Sequence, residues 1–108
     1  MANSNQIDKT SYYQLPCGRF LEDFIYNERL NFNFGSALKY KWRAGKKDGE
    51  SMEKDLAKAE HYIRAEAEMY WRLNGVTNEE TLKMAAAVNR DVVDRLLERA
   101  EKWDGKLR

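Results

Sequence analysis

The stretch Leu30-Asn31-Phe32-Asn33-Phe34-Gly35-Ser36-Ala37-Leu38-Lys39-Tyr40-Lys41-Trp42-Arg43-Ala44-Gly45-Lys46-Lys47-Asp48-Gly49 places four aromatics, five cations and three glycines in twenty residues. Asn33 has the side chain to cap a helix, and Gly45 stands where a left-handed C-terminal residue is expected, so the reading is a helix of about three turns between them. Phe34, Leu38 and Trp42 recur at i, i+4 and i+8 as its apolar line. Lys39 and Arg43, continued by Lys46 and Lys47, form a cationic line beside it. Cations near a helix C-terminus also complement the macrodipole, so part of this pattern stabilises the helix whatever the protein does.

Outward from that helix the chain reads as all-α. Upstream, residues 1–11 are polar and predict a loose arm; Tyr12, Tyr13 and Leu15 are the first side chains expected to pack, and Pro16 marks a boundary. Phe20, Leu21, Phe24 and Ile25 then give one buried face to a helix over Gly18–Arg29. Between Leu30 and Phe34 the alternation is too short for a strand of any length and is taken as an ordered helix entry.

Downstream, Gly45–Gly49 is a basic turn and Ser51 caps a long helix that Asn74-Gly75 stops after Leu73. Its expected core line is Met52, Leu56, Ala59, Ile63, Ala67 and Tyr70. Thr77 and Glu80 make a capping box for a second long helix to about Lys102. Leu82, Ala86, Asn89, Val93, Leu96, Ala100 and Trp103 are spaced 4,3,4,3,4,3, a heptad seam suited either to an antiparallel partner within the chain or to self-association. The expected architecture is one domain over 1–108: a small bundle of about four helices, two of them long, with a core over 15–73 and a heptad helix over 77–103. A homo-oligomer is expected of a chain this small.

The 108 residues are 43% hydrophobic and 34% charged with a net charge of +1, a composition that disfavours both disorder and general attraction to DNA or anionic membranes. Anion binding therefore has to come from the local cluster at Lys39–Lys47. Cys17 is the single cysteine and His61 the single histidine, which argues against a disulfide or a structural zinc site and leads to an expectation of no metal. Cys17 is expected to be a small buried hydrophobe and His61 a surface residue. The N-terminal stretch lacks an apolar centre and no run approaches the length of a membrane span, so the expected setting is the host-cell cytoplasm, away from membranes.

Phosphoryl transfer needs a phosphate cradle, a cation and an oxygen-held metal. There is no P-loop; Gly45-Lys46-Lys47-Asp48-Gly49 is only a glycine-flanked basic turn. Asp48, Glu50, Glu53 and Asp55 fit favourable acidic placement at the start of a helix better than a magnesium site. The paired carboxylate helices of the helical pyrophosphohydrolases are half present at Glu50-x-x-Glu53, and the second pair is missing. What remains is a phosphate-binding set of Lys39, Arg43, Lys46 and Lys47, with Arg43 suited to a bidentate contact. Tyr40 is the better candidate to stack a base, since Trp42 lies on the core line; Asn31 and Trp42 are further candidates for base contact.

The quoted stretch, followed by Glu53-Lys54-Asp55-Leu56-Ala57-Lys58-Ala59 and Tyr62-Ile63 and preceded by Leu21-Glu22-Asp23-Phe24-Ile25, resembles a small bacteriophage and prophage family, domain of unknown function 3310, often labelled nucleotide kinase-like. The similarity runs over roughly residues 15–66. It implies a largely helical phage protein linked to nucleotide metabolism or binding. The resulting expectation is a protein that binds or sequesters a nucleotide, a cyclic nucleotide or another nucleotide-derived signal through Lys39, Tyr40, Arg43, Lys46 and Lys47, with a possible anti-defence role. The alternatives are a noncanonical deoxynucleoside monophosphate kinase, which alone would require magnesium and ATP, and a helical protein-binding module. Whether the chain is an enzyme is left open at this level.

Overall fold

A computed structural model of the chain describes residues 11–46, 51–76 and 78–108. Residues 1–10 of the expected arm over 1–11, and Lys47, Asp48, Gly49, Glu50 and Thr77, lie outside the described residues. After a 3-10 turn at Ser11–Tyr13 come four α-helices: α1 (Leu21–Asn27), α2 (Phe32–Arg43), α3 (Met52–Leu73) and α4 (Glu79–Lys102). The expected all-α bundle with two long helices is what forms. No helix among the described residues is long and apolar enough to cross a membrane.

The helix boundaries follow side-chain caps. The first helix starts at Leu21 rather than Gly18, because Gly18 adopts φ 98° in a turn and the Asp23 carboxylate accepts from the Phe20 N–H at 3.0 Å. α2 starts two residues earlier than Asn33 would place it: Asn31 is extended and its Oδ1 accepts from the Phe34 N–H at 2.9 Å. Asn33 lies inside the first turn. Ser51 caps α3 as expected, and Gly45 and Gly75 take the left-handed conformation expected after α2 and α3. The cap of α4 is Asn78, which accepts from the Thr81 N–H at 3.1 Å.

α3 and α4 form an antiparallel hairpin with α2 lying against it. Most of the α4 seam points inward: Ala86, Val93, Leu96, Ala100 and Trp103 are buried and used within the chain, whereas Leu82 and Asn89, toward the start of α4, are half-buried. Phe24 of α1 meets Trp103 edge-on at 5.7 Å and closes the core where α4 ends. α1 rests close on α2, where a Cβ on Gly35 would come within 3.2 Å of Ile25.

The buried line of α3 differs from the expected one. Asp55, Ala59, Ile63 and Ala67 are buried, whereas Met52, Leu56 and Tyr70 are exposed. Steps of four advance about 40° beyond a full turn each, so the stripe winds around α3, from Arg43 of α2 at its start to the side facing α4 further on.

At 1.5 Å per residue α2 is about 18 Å long, against about 33 and 36 Å for α3 and α4. Its first turn lies beside Glu66. The last turns of α3 and the first turns of α4 therefore extend beyond α2.

Candidate functional site

The cationic aromatic motif is tied together at the α2–α3 contact. Arg43 ends α2 and is 8% exposed; Asp55, in the first turn of α3, is 1% exposed. Arg43 donates to Asp55 Oδ1 from Nε at 3.1 Å and from Nη2 at 2.6 Å, and its Nη1 reaches the Tyr13 hydroxyl at 3.5 Å. The Asp55 hydrogen bond raises the guanidinium pKa above its ordinary value, outweighing the burial that opposes it. Burial raises the Tyr13 pKa, with Arg43 acting against it.

Arg43 also stands 4.9 Å from the centre of the Tyr40 ring, and Lys58 of α3 stands 5.3 Å from the same ring. Tyr40 lies parallel to Tyr62 of α3, the rings 5.9 Å apart and 5° from coplanar. Phe32 and His61 each stand nearly perpendicular to the Tyr62 ring, in edge-to-face pairs. An aromatic strip with cations at one end thus runs along the α2–α3 groove.

The expected site residues divide on this frame. Tyr40 is half-buried and belongs to the strip. Lys39 is exposed, with its ammonium 5.3 Å from the Tyr13 ring on the neighbouring side of α2. Lys46 folds back, donating to the Trp42 carbonyl at 2.7 Å and covering the Trp42 ring at 4.5 Å. Arg43 is turned inward onto Asp55 instead of facing outward. Trp42 is buried and its indole N–H donates to the Tyr12 carbonyl at 2.9 Å, so its ring is occupied by the core rather than offered to a base. Asn31 is engaged as the α2 cap and, from its amide, with Glu66.

Cys17 is exposed, contrary to the buried position expected for it, because the turn at Pro16–Arg19 lies at the surface. His61 is exposed as expected. Among the described residues no group of three His, Cys, Asp or Glu side chains is arranged to hold a metal. Tyr13, Asp55, Lys58 and Tyr62 were missed as site residues. Three of them share a signal: Asp55, Lys58 and Tyr62 stand at i, i+3 and i+7, one face of a helix. That face meets Tyr40 and Arg43 of α2.

Residues 5–64 match a family model described as "Protein of unknown function (DUF3310)". The chain belongs to this family. All the residues of the Arg43–Asp55 pair and the Tyr40–Tyr62 strip fall inside the family's span, whereas Glu66, the end of α3 and all of α4 fall beyond it. No curated protein and no solved structure matches the chain.

Proposed function

We propose that the protein binds a nucleotide or nucleotide-derived anion along the α2–α3 groove. The observation that carries this reading is the parallel Tyr40–Tyr62 pair with Arg43 and Lys58 over the Tyr40 ring. A planar base extends such a strip by stacking beside Tyr62 and Phe32, and a phosphate is drawn to Lys58 at its cationic end, with Lys39 adding charge from the neighbouring side of α2. Arg43 contributes as a positioning residue: it holds Tyr40 and Tyr13 from a buried pair with Asp55. Lys46, which closes the end of α2, is assigned to the helix terminus. Sequestration of a nucleotide signal, in the phage setting that the resemblance implies, is the role such binding serves.

Calorimetric titration with nucleoside monophosphates, triphosphates and cyclic oligonucleotides tests this. The expected result is binding by one of these classes, weakened at least tenfold by Tyr40→Ala and by Lys58→Ala while the circular dichroism stays unchanged. A folded protein that binds none of them removes the reading. Incubation with ATP, magnesium and each deoxynucleoside monophosphate separates the alternatives: a phosphorylated product would replace sequestration with a noncanonical kinase, and an unchanged nucleotide would retain it.

A further inference from the structure

The groove between α3 and α4 that α2 fills continues past the first turn of α2, and there no further helix among the described residues covers it. The continuation is a cleft of about 360 Å3 that starts at Phe34 and Glu66 and runs between Tyr70 and Trp71 of α3 and Val88 and Asn89 of α4, so two polar side chains stand in an otherwise apolar lining. Tyr70 and Val88 line it and stand largely in solvent; on the same helices Met69 and Leu73 of α3, which line a neighbouring hollow with Arg72, and Met84 of α4, one turn before Val88, are exposed too, with Leu73 84% and Val88 63% exposed. Solitary exposed hydrophobes are ordinary, but five on the open end of one hairpin form a patch.

We propose that this open end docks onto the same end of a second copy of the chain. Two antiparallel hairpins that each lack covering helices supply them to one another, which makes a four-helix bundle from two two-helix ends. Each of the five side chains is more than half exposed, so together they can supply much of the apolar share of a standard interface of ~800 Å2 per partner. Its charges suit self-association as well. Glu66, Glu68 and Glu79 alternate with Arg64 and Arg72 around the open end, so a two-fold partner meets charge of both signs rather than a repelling field. The first ten residues of the chain are a poor cover, since Met1 and Ile7 are their only large apolar side chains. Of the α4 heptad seam only the half-buried Asn89 lines this cleft; Ala86, Val93, Leu96, Ala100 and Trp103 are buried inside the chain.

Sedimentation equilibrium across a range of concentrations reads the outcome. The full chain is expected to sediment with the mass of two chains, and Val88→Glu to weaken association at least tenfold with unchanged helical circular dichroism. Leu73→Glu, at the most exposed of the five side chains, serves as a second disruption should Val88→Glu fail to fold. A wild-type chain that is a monomer throughout overturns the proposal, and so does a dimer that survives a folded variant of either kind. Nucleotide binding at the α2–α3 groove is measured separately and does not decide this result.

Discussion

The two ends of the α3–α4 hairpin use their residues in opposite ways. At the start of α3 a carboxylate and a guanidinium are buried together, under the rings of Tyr13 and Tyr40. At the far end of α3, Met69, Tyr70 and Leu73 stand in solvent. Burying charge is costly and exposing large hydrophobes forfeits their transfer energy, so neither arrangement follows from hydropathy alone. The difference comes from α2. Where it lies against the hairpin, the Asp55 carboxylate is paired through Oδ1 with Arg43, although its buried Oδ2 and the Trp103 indole N–H have no hydrogen-bond partner; where it stops, no helix among the described residues covers the same groove.

The largest expected effect comes from breaking the closed end. Arg43→Ala leaves Asp55 buried without its counter-charge and is expected to cost about 3–5 kcal/mol in urea unfolding. Replacing both partners together, Arg43→Met with Asp55→Leu, is expected to recover most of that loss, because an apolar pair of similar volume has no charge to desolvate. A loss under about 1 kcal/mol for Arg43→Ala would mean that Asp55 reaches water, and the contrast between the two ends would fail. The double variant also bears on function. If it folds but Tyr40 no longer supports ligand binding, Arg43 acts by holding the ring; if binding survives, the pair serves the fold alone.

Much of this was legible in the sequence, and the parts that were not share a cause. Helix number, the caps at Ser51 and the stops at Gly45 and Gly75 were readable because each depends on a few neighbouring residues. The inward direction of the α4 seam agreed with a strict heptad spacing, although the spacing left open whether its partner lay inside the chain. The buried line of α3 was misread because Leu56 is more apolar than Asp55, and only the presence of Arg43 across the helix contact makes the carboxylate the inner residue. For the same reason Arg43 read as a ligand contact: its partner is twelve residues away on another helix. Asn31 and Asn33 were locally equivalent as caps, each followed by an aromatic.

That last ambiguity gives a prediction of intermediate size at the point where the closed region ends. Asn31→Ala removes both the Phe34 N–H cap and an amide contact to Glu66 and is expected to cost about 0.5–2 kcal/mol. Asn33→Ala removes contacts from its amide to Glu66 at 3.2 Å and to the Met69 sulfur, but no cap, and should cost less. Paired thermal melts check the order. An Asn33→Ala loss equal to or larger than that of Asn31→Ala would move the start of α2, and with it the boundary between covered and open groove.

The smallest effect is expected midway along the hairpin, where Arg90 of α4 grips Glu60 of α3 with two hydrogen bonds of 2.8 and 2.6 Å. The side chains are partly exposed, so the pair is expected to contribute only about 0.2–1 kcal/mol. Its pH dependence identifies it. The Arg90 hydrogen bond lowers the Glu60 pKa from its ordinary 4.5, against the opposing effect of burial. A carboxylate with a lowered pKa in the fold contributes fully above its unfolded value and loses that contribution as pH falls through the folded one. The stability difference between wild type and Glu60→Gln should therefore be widest near neutrality and close on acidification below about 4.5. If the gap instead stays constant with pH, the contact acts through packing rather than charge, and the small buried residues Ala59, Ala67 and Ala86 hold the two long helices together without help from their surfaces.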